Sequence, residues 1–171
     1  GYGIAVDGGE NAYVTGRFEG TATFGSHTLT SDGDRDIFAA KLDPSGNWLW
    51  AVKAGGDSSY ERGQDIAVDG VGNAFVTGRF YGTATFGSHT LTASGNTDIF
   101  AAKLDPAGNW LWAVKAGGTD IDYGYGIALD GTGNIYVTGE FFGTATFGSH
   151  TLTASVGSDI FVAKLDPSGN W

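Results

Sequence analysis

The side chains best suited to chemistry in this sequence are histidines and tryptophans, and both types recur at a fixed spacing. Imidazole nitrogens bind metal ions, and indole rings stack on sugars or on other apolar groups. The candidate ligand-binding residues are Trp48, Trp50, Trp110, Trp112, His27, His89 and His150. If these side chains are exposed, they suit glycan binding, and if they are buried, they suit packing in the protein interior.

Packing explains these residues without a ligand. Each histidine occupies the same repeat position, so the three are too far apart to share one metal ion unless they converge on a common axis. A histidine packed beside a hairpin phenylalanine is the simpler interpretation. The tryptophans suit packing in an outer strand or between repeats, because aromatic side chains dominate core energetics wherever they are buried.

No arrangement in the sequence is typical of catalysis. Ser26 and His27 are adjacent, and neighbours along a strand point to opposite faces, so they cannot form the hydrogen bond that activates a nucleophile. The segment SDGDRD at 31–36 lacks the distal glutamate of a calcium loop, and only its last aspartate recurs, as Asp98 and Asp159. We therefore predict no enzyme activity, no catalytic residues, no metal site and no cofactor.

Composition narrows the class of protein. The net charge of −10 argues against a nucleic-acid partner, which requires clustered lysine and arginine. Cysteine is absent, and polar residues or glycine interrupt every apolar run, so we expect neither disulfides nor a membrane span. The sequence also lacks methionine and starts with glycine, which indicates a processed, excised or trimmed chain. This composition favours a secreted or cell-surface protein.

The elements that position these residues belong to a long repeat. Residues 1–56 align without a gap on 63–118 and differ at 11 positions, and 124–171 carry the same text again. Such a period indicates a repeat architecture in which each unit buries its faces against its neighbours. We divide the single domain 1–171 into repeats 1–62, 63–123 and 124–171, the last one incomplete. Near-identical copies fit either recent duplication or deliberate design.

Each repeat reads as short antiparallel strands. In the third copy, apolar runs cover 126–130, 135–139 continuing through Phe142, and 159–165, and Asp-x-x-Gly-Asn turns follow the first and the last. A fourth strand follows in the earlier copies, at 48–53 and 110–115. Both faces of these strands are apolar, as expected for a sheet packed between two other sheets. Four such strands per repeat predict an all-β fold, a β-propeller with blades of about 61 residues.

The order of the motifs supports this prediction. IAVDGxGNxYVTG followed by DIFxAKLDPxGNWLWAVKAGG resembles the bacterial β-propeller repeat family SBBP and, more distantly, the NHL repeat. The resemblance covers essentially the whole chain. It implies a propeller with IAVD nearest the axis and WLWAVK at the rim, and a bacterial, surface-associated protein. It implies no particular activity.

A hairpin is inserted between the second and third strands of each repeat. Gly25-Ser26 suits a two-residue type II′ turn, which pairs Phe24 with His27 and Thr21 with Thr30. This register places Phe24, His27, Ala22 and Leu29 on one face and four threonines on the other. We expect the apolar face to pack on the sheet and the threonines to face water.

The third repeat stops at Trp171, the first residue of its fourth strand. Three blades are fewer than the four to eight of usual propellers, so we expect bare apolar end faces and an unpaired strand at 159–165. The chain is then part of a longer propeller, half of a six-bladed ring of two chains, or a link in an open polymer. We predict a non-enzymatic scaffold that interacts with itself. The alternative is a multivalent glycan-binding lectin.

Overall fold

The computed structural model describes residues 1–57 and 60–171, which form β-strands joined by turns. Ser58 and Ser59, inside the predicted repeat 1–62, lie outside the described residues. Within those residues, no helix has the length and apolar character needed to cross a membrane.

The strands fall into three consecutive units. Unit 1 comprises β1 (Gly3–Val6), β2 (Ala12–Phe18), β3 (Thr21–Phe24), β4 (His27–Thr30), β5 (Asp36–Leu42) and β6 (Trp48–Ala54). Unit 2 comprises β7 (Arg62–Val68), β8 (Ala74–Phe86), β9 (His89–Leu104) and β10 (Trp110–Gly118). Unit 3 comprises β11 (Asp122–Leu129), β12 (Ile135–Phe147) and β13 (His150–Leu165).

All pairs of named strands are antiparallel, and most join neighbours in sequence, except β2 with β5 and β10 with β12. Unit 1 has the order β1-β2-β5-β6, with β3-β4 as a separate two-stranded sheet. Unit 2 repeats this order as β7-β8-β9-β10, and in unit 3 β12 pairs with β11 on one side and β13 on the other. The fold is therefore all-β and antiparallel, as predicted.

Several strands are longer than the sequence pattern indicates. β12 and β13 continue through the inserted hairpin, with an irregularity between Phe142 and Thr144. Gly143 takes a φ of 59° at that point, so the chain bends without leaving the ribbon. β11 begins at Asp122, four residues before the predicted start. Alternation of apolar residues marks the centre of a strand but not its ends.

The hairpin has the predicted register. Phe24 pairs with His27, Ala22 with Leu29 and Thr21 with Thr30. Gly25 has a φ of 59°, whereas Ser26 has no positive φ, as a type II′ turn requires. The hairpin threonines are exposed, and Phe24 packs against Phe38 at 5.0 Å between ring centroids.

The core lies between the units as well as inside them. One cluster joins Ile37 and Ala39 of unit 1 to Ile66 and Val76 of unit 2. A second cluster joins Ile99 of unit 2 to residues of unit 3. The sheet of unit 2 is therefore buried on both faces, which explains the apolar character of both faces in the sequence.

Aspartates close the turns that end the first and third strands. In the first turn, Asp7 accepts hydrogen bonds from the backbone of Gly9 and Asn11, the Asn11 amide and the Tyr13 hydroxyl. Burial alone would raise the pKa of Asp7, but these hydrogen bonds outweigh it and lower the pKa to about 2. The repeated Asp and Asn residues thus have a structural role in the turn.

This geometry predicts a pH-dependent stability. Because its pKa is lowered in the folded protein, Asp7 stabilises the fold at pH values above its unfolded-state pKa near 4. This contribution is lost as the pH falls through about 2. We expect Asp7→Asn to lower the free energy of unfolding by about 1 kcal/mol at neutral pH. Urea denaturation should show this difference disappearing near pH 2. Asp34→Asn, at an exposed position, is the matched control and should change little; an equal loss there would contradict the prediction.

Candidate functional site

Three of the four tryptophans of the candidate set, Trp50, Trp110 and Trp112, contact a neighbouring unit. The indole Nε1 of Trp50 in unit 1 donates a hydrogen bond to the Pro106 carbonyl of unit 2 at 3.0 Å. In return, Nε1 of Trp110 in unit 2 donates to the Lys53 carbonyl of unit 1 at 3.2 Å. The two hydrogen bonds cross the junction in opposite directions, so they fix how the sheets sit against each other.

The second junction repeats one of these two hydrogen bonds, because Nε1 of Trp112 is buried without an acceptor among the described residues. Trp171 of unit 3 donates to the Lys115 carbonyl of unit 2 at 2.9 Å, as Trp110 does to Lys53. Trp112, the equivalent of Trp50, lies against Gly169 of unit 3, where an added Cβ would come within 3.0 Å of the indole. Trp48 contacts the ring of Phe24 within its own unit, with 5.0 Å between centroids.

The histidines stay separate. His27, His89 and His150 each pair with the phenylalanine of their own hairpin. Among the described residues, no three His, Cys, Asp or Glu side chains come together in a way that could hold a metal ion. The structure therefore brings three of the four candidate tryptophans to the junctions but does not bring the histidines together.

Backbone contacts tighten each junction further. Gly117 and Gly118 at the end of β10 pair with Thr146 and Ala145 of the unit 3 hairpin. The equivalent bridge between units 1 and 2 joins Gly55 to Thr85. The hairpin of each following unit is thus hydrogen-bonded to the outer strand of the unit before it.

The two ends of the stack lack this cover and expose apolar side chains. On unit 3, Ile160 is 83% exposed and Val162 is 72% exposed, whereas Ile37, at the position of Ile160 in unit 1, is fully buried. On unit 1, Ile4 is 69% exposed, whereas its equivalent Ile66 is 3% exposed. We call these surfaces the unit 3 end face (Ile160, Val162) and the unit 1 end face (Ile4, Val6).

The junction between units 2 and 3 contains a buried carboxyl group. Burial raises the pKa of Asp122 to about 6, and the neighbouring Asp98 and Asp120 act in the same direction. Hydrogen bonds from the Gly118 and Phe142 amides offset only part of this effect. The protonated form of Asp122 therefore persists into mildly acidic solution.

The raised pKa of Asp122 makes the free energy of unfolding depend on pH in a second range. Because its pKa is raised, its stabilising contribution is complete below the unfolded value near 4 and is lost as the pH rises through about 6. We expect the free energy of unfolding to fall by about 1 kcal/mol from this group between pH 5 and pH 7. Asp122→Asn should remove that slope in urea titrations, and an unchanged slope would contradict the assignment.

Arginine and tyrosine side chains form a second feature, which the sequence patterns did not single out. Tyr2 lies beside both Arg17 and Arg62, with 5.8 and 4.2 Å between each guanidinium carbon and the ring centroid. Arg79 lies 4.5 Å from the ring centroid of Tyr123. We call these five residues the arginine stripe. The repeats differ at two of these positions: Tyr2 stands where unit 2 has Gln64, and Arg79 stands where unit 3 has Glu140. This variation between repeats is the sequence signal that marks the stripe.

Part of the repeat matches a repeat that is known from other proteins. Residues 111–140 match the model of the SBBP β-propeller repeat. This segment runs from β10 into β12, so it covers the end of unit 2 and the first part of unit 3.

Two longer proteins are similar to most of the chain. An uncharacterised WD repeat-containing protein, L264 of Acanthamoeba polyphaga mimivirus, is 28% identical over 156 residues, which cover 81% of this chain and 11% of that protein. The regulatory protein FlaEY of Caulobacter vibrioides is 29% identical over 143 residues, covering 81% of this chain and 13% of that protein. The chain thus spans about a tenth of the length of these relatives. The matched segment and the all-β fold make the repeat of this chain similar to the SBBP β-propeller repeat.

Proposed function

We propose that this chain is a non-enzymatic β-propeller scaffold whose three units are successive blades and whose end faces bind a second copy. The observation that carries the proposal is that the chain contains both halves of its own blade interface. Ile160 and Val162 are exposed on the unit 3 end face, and Ile4 and Val6 on the unit 1 end face. The equivalent residues meet and are buried inside the chain.

Two copies joined at both pairs of end faces would give six blades, within the usual range for a propeller. The repeat family supports an interaction role, since propellers present binding surfaces around a closed ring. In a longer polypeptide, the same faces would take further blades of that polypeptide. Either way, the function of the faces is assembly.

The mass in solution tests the proposal. We expect sedimentation of the purified chain to give a species of twice 17.7 kDa. Ile160→Asp combined with Val162→Asp should reduce it to one protomer, because a charge buried at the interface is strongly unfavourable. Val71→Asp, at a turn residue of unit 2 that is 76% exposed, is the matched control and should leave the mass unchanged. A monomeric native chain would contradict the proposal.

The glycan-binding alternative stays a prediction. Trp50, one of its candidate residues, is only 7% exposed, which leaves little of its ring open to a sugar. Binding to a glycan array that a soluble sugar competes away would favour the lectin, and no such binding would favour the scaffold.

A further inference from the structure

The arginine stripe lies at one end of the sheets, separate from the end faces that join the units. Arg62 and Arg79 are directly opposite each other in the pairing of β7 with β8. Arg17 occupies the position of Arg79 in unit 1, and the Tyr2 ring lies beside Arg17 and Arg62. The stripe therefore extends without interruption across the first two units and reaches Tyr123 of unit 3.

The arginines of the stripe have no carboxylate partner among the described residues. The chain has 19 acidic residues against 9 basic ones, so partners are plentiful. Nevertheless, the ion pairs of the described residues use only Arg35, Lys41, Lys53 and Lys115. The three arginines of the stripe instead lie near tyrosine rings, and Nη1 of Arg62 donates a hydrogen bond to Oε1 of Gln64 at 3.4 Å. This arrangement leaves other guanidinium donors available.

The stripe is also partly dehydrated. Arg17, Arg62 and Arg79 are all half-buried, and the Nε of Arg62 is buried without a hydrogen-bond acceptor. A buried donor without a partner is unfavourable, so the stripe contains a polar group that its own fold does not satisfy. Side chains already ordered by ring contacts lose less entropy when they bind.

We propose that the arginine stripe binds an acidic peptide segment of a partner protein, whose carboxylates accept hydrogen bonds from the guanidinium groups. Planar guanidinium groups match carboxylates in two-point contacts, and arginine and tyrosine are enriched at protein interfaces. A sugar fits less well, because guanidinium groups already lie over the rings of Tyr2 and Tyr123. A nucleic acid fits less well too, because the net charge of −10 repels a long polyanion.

The third unit supplies a natural comparison. Glu140 stands where units 1 and 2 have Arg17 and Arg79, and it accepts a hydrogen bond from the Tyr125 hydroxyl at 3.3 Å. The fold thus accommodates either charge at this position. Arg79→Glu is therefore a charge reversal that the architecture accepts, and it changes the stripe without touching the end faces.

The test measures fluorescence anisotropy of a short labelled peptide rich in glutamate, with the same peptide carrying glutamine as the reference probe. We expect the native chain to bind the glutamate peptide at least tenfold more tightly than the glutamine peptide, with affinity falling as salt is added. Arg79→Glu should weaken binding at least tenfold, and Arg62→Gln should weaken it in the same direction. Thermal unfolding of each variant checks that it is folded.

Lys103→Gln is the matched control. It removes one positive charge that lies 5.0 Å from the centroid of the Phe75 ring, and Phe75 stands four residues before Arg79 in β8. It should leave peptide affinity unchanged. Equal binding of the two peptides, no binding of the glutamate peptide, or an equal loss with Lys103→Gln would each overturn the proposal. Binding of a uronic-acid oligosaccharide in place of the peptide would overturn it in favour of an acidic glycan.

Discussion

Adding the octapeptide Leu-Trp-Ala-Val-Lys-Ala-Gly-Gly after Trp171 is expected to raise the free energy of unfolding by about 3 kcal/mol. This sequence stands at 111–118, where it forms most of β10 and pairs with β9. In unit 3, β13 pairs only with β12 among the described residues. The added strand would cover that edge and bury apolar side chains beside Ala163 and Leu165.

Urea denaturation of the extended and native chains measures this effect. A glycine-serine extension of equal length is the control, since it cannot supply apolar side chains. It should leave the free energy of unfolding unchanged within about 0.5 kcal/mol. If both extensions gave the same stability, the edge of β13 would not be a vacant strand position.

Replacing Gly118 by alanine is expected to destabilise the chain by about 3 kcal/mol. An added Cβ at Gly118 would collide with the backbone carbonyl oxygen of Thr144, which belongs to the unit 3 hairpin. A backbone atom cannot move aside as the end of a flexible side chain can. The junction between β10 and β12 would have to open, so the loss should include the pairing of Gly118 with Ala145.

The matched control is Gly131→Ala. Gly131 lies in an exposed turn, and an added Cβ there would meet nothing within 4 Å. Its free energy of unfolding should change by less than about 0.5 kcal/mol. Thermal unfolding followed by near-ultraviolet circular dichroism of the tryptophans measures both variants. A Gly118→Ala variant as stable as the control would show that the close approach of the hairpin is not needed.

Local features of the fold were predictable because they depend on neighbours along the chain. The hairpin register follows from the Gly25-Ser26 turn and the period of two, and the structure pairs Phe24 with His27 as predicted. The apolar character of both strand faces predicted sheets stacked on sheets, which the shared clusters between units confirm. Strand ends such as Asp122 were not predictable, because pairing with β12 and not residue type extends β11 there.

The sequence by itself determined the repeat, the antiparallel strands and the aspartate turns, since each depends on residues a few positions apart. Only the tertiary structure decided what crosses from one unit to the next. The hydrogen bonds from Trp50 to Pro106 and from Trp110 to Lys53 join atoms more than fifty positions apart in the chain. The arginine stripe depends on the same stacking, because it places side chains of three separate units along one line. The physical reason is that sheet-on-sheet packing sets these distances, and no local period encodes them.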